Sequence, residues 1–291
     1  MIWQLFAIIA PLFVCAGIGY GWARAGHNYD VDLVTSLIFL LGTPCLVFST
    51  LLKLEVSPAA LGEIAFAAAL ALAAFMTFAA ATLKLLRLPF PPFLPALTFP
   101  NTGNMGLPLC LFAFGDAGLA LGIAFFAVIS TAQFTIGMWI SSGQPSPRQL
   151  VRTPQLYAIA ISLLFMLTDT PPPAWIANTT ALIGGMTIPL MLITLGVSLA
   201  RLEMANLRRG LMLSFLRLCV GLLVGLGLAQ GLGFEGTTRG VVIIQCAMPV
   251  AVFNYLFAQR FNRAPEEVAG LVVLSTLITF AALPLVLLVA L

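Results

Sequence analysis

Residues 98–108 read TFPNTGNMGLP, and they lie in the middle of a stretch that is otherwise apolar enough to cross a membrane. Pro100 and Pro108 each remove a helical hydrogen bond and free the carbonyl about one turn earlier. Hydrocarbon cannot satisfy a freed carbonyl, so such backbone persists only where protein or water surrounds it. The stretch therefore predicts a transmembrane helix that is split into two halves inside the protein.

The composition predicts an integral membrane protein. Of the 291 residues 61% are hydrophobic and only 8% are charged, and the mean hydropathy is +1.08. Soluble domains carry about 25% charged residues. All five cysteines lie in apolar runs without CxxC spacing, which favours small buried side chains over disulfides or metal ligands. No metal and no cofactor is predicted.

Ten segments reach the length of roughly 17 to 25 apolar residues, or come close to it, that a membrane-spanning helix needs. We predict spans at residues 3–22, 31–52, 62–83, 93–114, 118–140, 154–169, 175–199, 210–231, 239–260 and 268–291.

Basic residues decide the orientation of these spans. The loops that follow odd-numbered spans hold ten lysines and arginines, whereas the loops that follow even-numbered spans hold only Lys53 and Arg239. The positive-inside rule therefore predicts that the odd loops are cytoplasmic and that both termini face outward. Arg217, about two turns into the eighth span, is expected to snorkel to the cytoplasmic interface.

An internal repeat relates the two halves of the chain. Residues 35–51 (TSLIFLLGTPCLVFSTL) and 180–196 (TALIGGMTIPLMLITLG) share threonine, leucine, isoleucine and proline at one constant offset. The same offset of five spans relates the fourth span to the ninth, which is also interrupted, at Pro249. Since five is odd, the halves enter the membrane from opposite sides, as in the inverted repeats of secondary transporters.

The predicted fold is an all-α membrane protein of ten helices, arranged as two inverted five-helix repeats. The first repeat covers residues 1–140, a short cytoplasmic linker covers 141–153, and the second repeat covers 154–291. In this arrangement helices 4 and 9 are broken and cross each other.

The broken helices predict an anion site. The second half of each helix begins near the middle of the membrane, so two helix N-termini, each with roughly half a positive charge, converge there. Tyr255 either lines this cavity or packs between helices. The predicted substrate-binding residues are Asn101, Thr102, Gly103, Asn104, Gln245, Asn254 and Tyr255, and the predicted helix-breaking residues are Pro100, Pro108 and Pro249.

The positions of the ionisable groups bear on coupling. Every acidic residue lies in a loop or at the end of a span. Proton-coupled carriers usually hold an ionisable group within the membrane, so proton coupling is not favoured. A sodium ion could still be held by freed carbonyls, Thr102 and the asparagines, and sodium coupling stays open.

Three stretches carry a resemblance to a known family. PNTGNMGLPL (100–109), IIQCAMPVAVFNYLFA (243–258) and LVVLSTLITFAALPLVLLVAL (271–291) resemble the auxin efflux carrier family, which includes plant carriers and many bacterial permeases. The resemblance implies a ten-helix fold like that of bile-acid sodium symporters. Helices 1, 2, 6 and 7 would form a dimerising scaffold, and helices 3–5 and 8–10 would carry an anionic carboxylate by an elevator movement. The long cytoplasmic loop of many plant members is missing here.

The broken helices predict a carrier for small organic anions. The resemblance implies that these are acids such as malonate or auxin-like acids, and that the carrier is a homodimer in the inner (plasma) membrane of a bacterium. It would be surrounded by membrane lipid and would bind no nucleic acid. A sodium symporter of the bile-acid type and an anion channel are the alternatives. An enzyme is not predicted, because GxSxG and HExxH motifs are missing and the lone histidine, His27, is in a loop.

Overall fold

A computed structural model describes residues 2–53, 57–144, 154–168, 170–202 and 206–291, and in them the protein is all-helical, without a β-strand. Most of the predicted linker 141–153 lies outside the described residues. The α-helices are α1 (Ile2–Arg24), α2 (Val31–Leu37), α3 (Thr43–Lys53), α4 (Pro58–Leu85), α5 (Phe90–Thr98), α6 (Leu107–Ala132), α7 (Met138–Ser142), α8 (Pro154–Leu167), α9 (Ala174–Gly185), α10 (Thr187–Arg201), α11 (Leu207–Gly231), α12 (Gly236–Ala247), α13 (Val252–Arg260) and α14 (Pro265–Ala290).

Three π-helical turns occur in the described residues, and each runs without interruption into the helix that follows it. They cover Ile38–Gly42, Thr102–Gly106 and Gln133–Gly137. π-Turns of this kind often mark functional sites, because they shift the helical phase and release backbone groups.

Seven helical stretches among the described residues are long and apolar enough to cross a membrane, as a multi-pass membrane protein requires. One of them, Thr102–Ser142, has 41 residues and would measure about 60 Å as a single straight helix, twice the hydrocarbon thickness. The stretch is not one straight helix, because Gly115 has non-helical angles, with a φ of 65° and a ψ of −155°. The chain therefore turns at Gly115 and runs on in a new direction.

The other three predicted spans, the fourth, sixth and ninth, are short or interrupted. Helix α8 has 14 residues, about 21 Å, and the fourth and ninth spans are divided between α5 and α6 and between α12 and α13. Because these two spans are divided, α5, α12 and α13 are each too short to cross a bilayer alone. The count of ten membrane spans stays a prediction.

Polar contacts between loops bring four of the arginine-bearing loops to one end of the protein. Arg201 Nη1 donates to the carbonyl oxygen of Tyr29 at 2.8 Å, and Arg263 Nε donates to the carbonyl oxygen of Ser141 at 3.2 Å. At the start of α11 and α14, Arg209 and Glu267 form an ion pair at 2.7 Å. These pairs link the loops after the predicted first, fifth, seventh and ninth spans.

The expectation for Arg217 was wrong. Its side chain does not snorkel to the interface: it is 2% exposed, and its Nη2 donates to the carbonyl oxygen of Cys246 at 3.3 Å. The physical reason is that Cys246 lies in the last turn of α12, whose carbonyls lack partners within the helix. A nearby acceptor of this kind holds the guanidinium inside the protein.

Candidate substrate site at the interrupted helices

The first interruption lies between α5 and the π-turn Thr102–Gly106. Helix α5 ends at Thr98, and Phe99 is extended, with φ −99° and ψ 106°. A residue before a proline is pushed out of the helical region by the proline ring, so Pro100 explains the conformation of Phe99. Asn101 then precedes the turn with which the helix resumes.

The second interruption has the same local cause. Helix α12 ends at Ala247, and Met248, which precedes Pro249, is extended with φ −63° and ψ 148°. Helix α13 starts at Val252. Each interrupted span thus has an X–Pro step at its break.

The two extended segments pair with each other. Pro100 and Val250 form an isolated antiparallel bridge. The N–H of Asn101 donates to the carbonyl of Pro249 at 2.7 Å, and the N–H of Ala251 donates to the carbonyl of Phe99 at 3.2 Å. Backbone groups that lipid could not satisfy are thereby paired inside the protein.

Side chains reinforce this pairing. Asn254 Nδ2 donates to the carbonyl of Phe99 at 3.1 Å, and Asn254 Oδ1 accepts a hydrogen bond from Gln133 Nε2 at 3.0 Å. The N–H of Val250 donates to Ser275 Oγ at 3.0 Å. The amide of Asn254 therefore joins the two broken helices and the π-turn that begins at Gln133.

A cavity of about 30 Å³, room for about two water molecules, lies beside the paired segments. Four predicted substrate-binding residues line it, together with Pro100. These four are Asn101, Thr102, Gly103 and Asn104. The rest of the lining consists of hydroxyl, amide, aromatic and small or apolar side chains, namely Thr35, Ile38, Phe39, Thr43, Phe126, Ser130, Gln133, Phe134, Met191, Thr194, Ala251 and Phe253.

Both resuming helices begin at this cavity. Thr102, Gly103 and Asn104 come from the first turn after one break, and Ala251 and Phe253 come from the start of α13. The first N–H groups of a helix have no partner within it and carry its partial positive charge. Among the described residues, no charged side chain lines the cavity.

Asn101 is the polar side chain of most interest. It is 4% exposed, and its Nδ2 is a buried donor without a hydrogen-bond partner among the described residues. A buried donor left unpaired costs about 1–3 kcal/mol. Such a group is therefore expected where a ligand or a water accepts its hydrogen bond.

Aromatic rings close one side of the cavity. The ring centroid of Phe134 lies 4.7 Å from that of Phe39, 5.0 Å from that of Phe253 and 5.7 Å from that of Phe257. Phe39 belongs to the π-turn after α2, Phe134 belongs to the π-turn Gln133–Gly137, and Phe253 belongs to α13. The rings connect these elements.

The remaining predicted residues do not line this cavity. The side chain of Gln245 packs against the other broken span: its Nε2 donates to the carbonyl of Gly122 in α6 at 3.3 Å, and its Oε1 lies against Gly106. Tyr255 is partly buried and packs against an apolar cluster that includes Leu271. Pro249 belongs to the second break. Pro108 lies two residues after the π-turn, near the start of α6, and the helical stretch Thr102–Ser142 runs through it.

Sequence reasoning overlooked Gln133, Ser130 and the phenylalanine group. A signal for Gln133 was available, because it is a glutamine within an otherwise apolar span and polar side chains there are expensive. Phe39, Phe134 and Phe253 gave no such signal, since the chain has 22 phenylalanines in apolar surroundings. Only the packing of the helices selects these three.

Comparison with known proteins identifies the family. A family model described as "Membrane transport protein" matches residues 138–287, just over half of the chain. An uncharacterized transporter of Methanothermobacter thermautotrophicus is 29% identical over 198 residues, 65% of each chain. An uncharacterized transporter of Methanocaldococcus jannaschii is 22% identical over 63% of this chain and 62% of its own.

A plant relative is also similar. The auxin efflux carrier component 1 of Arabidopsis thaliana is 29% identical over 148 residues, 48% of this chain but only 23% of the plant protein. The alignments thus cover less than two thirds of the length of each of these relatives. The family and these relatives are transporters rather than enzymes, as the sequence predicts. The chain therefore belongs to the family of membrane transport proteins that includes the auxin efflux carriers.

Proposed function

We propose that the protein is a carrier for small organic anions and that it binds a carboxylate where its two interrupted helices meet. The observation that carries this proposal is the unpaired Nδ2 of Asn101, a buried donor at a polar cavity between two helix N-termini. A carboxylate oxygen is the acceptor that such a donor and such dipoles favour.

The electrostatics of the cavity support an anion rather than a cation. Two helix N-termini contribute roughly half a positive charge each, and the amides of Asn101, Asn104 and Gln133 add hydrogen-bond donors. The site would hold a negative charge by fixed dipoles, since the described residues that line it include no lysine or arginine. Malonate and auxin-like aromatic acids both fit this chemistry.

The inverted repeat is part of the proposal. With the repeat offset of 145 residues, the π-turn Ile38–Gly42 corresponds to residues 183–187. There the helix is also interrupted, because α9 ends at Gly185 and α10 starts at Thr187. The paired extended segments occupy corresponding places in the two halves. These matches support ten helices in two inverted halves with the substrate site between them.

The composition of the cavity supports an elevator movement. One wall comes from residues of the predicted scaffold, such as Phe39 and Thr194, and the other comes from the interrupted helices and the span with Gln133. The present volume of about 30 Å³ is too small for a dicarboxylate. Substrate entry would therefore separate the two groups of helices, as movement of one group along the other requires.

We also propose that the carrier works as a homodimer in the plasma membrane of a bacterium, with both termini outside. Exposed apolar side chains on α1 and α9, among them Trp3, Trp175 and Leu182, support contact of the scaffold with lipid or a second copy. The loop contacts of Arg201, Arg209 and Arg263 support one basic end, which would face the cytoplasm.

The test is uptake of a carboxylate panel into proteoliposomes under an imposed membrane potential. The panel contains malonate, succinate, benzoate and indole-3-acetate, each with and without a sodium or pH gradient, and protein-free liposomes are the control. We expect saturable uptake and counterflow of at least one acid. Flux without saturation or counterflow would indicate a channel, and strict dependence on sodium would indicate a symporter of the bile-acid type.

A further inference from the structure

Helix α11 contains a buried arginine, Arg217, which does not line the substrate cavity. Arg217 is 2% exposed and lies in the middle of an apolar stretch, where a charged side chain is expensive. The ring of Phe75 lies 4.3 Å from its guanidinium carbon, a cation–π contact. Among the described residues the only ion pair is Arg209–Glu267, so no described acid neutralises Arg217.

The negative partner of Arg217 is a helix end. Its Nη2 donates to the carbonyl of Cys246, which lies next to the last residue of α12, at 3.3 Å. The carboxyl end of a helix has unpaired carbonyls and a partial negative charge. Gly221 permits this geometry, because a Cβ there would lie 2.4 Å from the Cys246 carbonyl oxygen.

The guanidinium also has unused donors. Nε and Nη1 have no hydrogen-bond partner within the described part of the chain. A cavity of about 20 Å³ beside them is lined by Arg217, Thr82 and Leu97, the residue before the end of α5. Arg217 is thus close to the carboxyl ends of both first half-helices, α5 and α12.

We propose that Arg217 is a positioning residue that supplies the positive charge at the carboxyl end of α12, where a coupling cation would otherwise bind. In carriers with broken helices, half-helix carboxyl ends and unwound carbonyls coordinate sodium or a proton. A resident guanidinium fills that place, so transport needs no sodium. This inference rests on the proposed carrier function and adds how the carrier is driven.

The first test separates charge from hydrogen bonding and packing. Arg217→Lys keeps a cation, whereas Arg217→Gln keeps an amide donor for the Cys246 carbonyl but no charge. In proteoliposomes with malonate, or the panel acid that the wild type moves fastest, we expect Lys to retain most of the rate and Gln to lose about tenfold or more. Equal rates for the two variants would overturn the role of the charge, and strict sodium dependence of the wild type would overturn the inference.

The second test does not depend on the substrate. Arg217→Ala removes the guanidinium and leaves its place open, so added guanidinium chloride at low millimolar concentration should raise the Tm of this variant above that in potassium chloride. The matched control is Arg209→Ala, which loses an arginine from the loop ion pair and should not respond, like the wild type. If Arg217→Ala is not recovered folded, Arg217→Gln takes its place.

The two proposals fail separately. If guanidinium raises the Tm of the Arg217 variant but the wild type transports no carboxylate, the cation-binding site at the carboxyl end of α12 is retained and the carrier function is rejected. If guanidinium does not raise the Tm of the Arg217 variant and the wild type transports a carboxylate, only the cation-binding site at the carboxyl end of α12 is rejected.

Discussion

Replacement of Asn101 by alanine tests the substrate site most directly. Asn101 Nδ2 is buried beside the cavity and has no partner within the described residues. The substitution therefore removes a donor that no other described residue accepts from. Loss of transport with retained stability is the result that distinguishes a binding residue from a structural one.

The expected magnitudes follow from the hydrogen bond. A bond to a charged group contributes about 1.5–3 kcal/mol, and each 1.4 kcal/mol is tenfold, so transport efficiency at low substrate should fall by about 10- to 150-fold. Stability should change by less than about 1 kcal/mol, because the Asn101 side chain donates no hydrogen bond within the described residues. Asn101→Asp should reduce transport further, since a carboxylate there repels an anion.

The assay is initial counterflow of a panel acid at concentrations below saturation, with thermal unfolding of the same preparations. Asn178→Ala is the matched control, because Asn178 is exposed on α9 and does not line the cavity. Transport by Asn101→Ala within about twofold of the wild type would refute the location of the site. A large fall in Tm would instead assign Asn101 a structural role.

Three further substitutions test the surroundings of the site. Asn254→Ala should lower the free energy of unfolding by about 1–3 kcal/mol, because it removes the amide donor to the Phe99 carbonyl; an unchanged melting temperature would contradict this. Gly106→Ala would bring a Cβ 2.2 Å from Gln245 Oε1 and should cost about 1–3 kcal/mol, which the added Gln245→Ala should largely restore; additive losses in thermal unfolding would show that the two sites do not interact. Phe134→Ala should open the aromatic wall, so we expect indole-3-acetate to gain relative to malonate in competition uptake, and an unchanged ratio would count against an aromatic wall at the site.

Local chemistry made the interruptions predictable. A proline in the middle of an apolar span removes a helical hydrogen bond and pushes the residue before it out of the helical region, so the breaks at Pro100 and Pro249 could be predicted without any knowledge of tertiary neighbours. Membrane-spanning length and basic loops likewise depend on nearby residues only. These features need no tertiary contacts.

Tertiary contacts decide where the amides near Pro249 lie. Gln245 and Asn254 are both amides near Pro249, and each was expected at the cavity. Helical phase turns Gln245 toward the carbonyl of Gly122, while Asn254 reaches the carbonyl of Phe99 across the pairing. Arg217 could not be assigned either, since its partner Cys246 is 29 residues away.

The contrast between Asn101 and Arg217 gives a reason why the proposed substrate site has no fixed charge among its described lining residues. A carrier that alternates between the two sides must move through the membrane empty as well as loaded, and an unpaired arginine at the cavity would be expensive in the empty state. Helix dipoles and amides attract a carboxylate, but they leave no uncompensated full charge when the carboxylate departs. Arg217 escapes this constraint because its acceptor, the end of α12, belongs to the protein and stays with it. On this reasoning, the permanent charge is confined to the carboxyl end of the broken helix, and the exchangeable charge is brought by the substrate to the amino end.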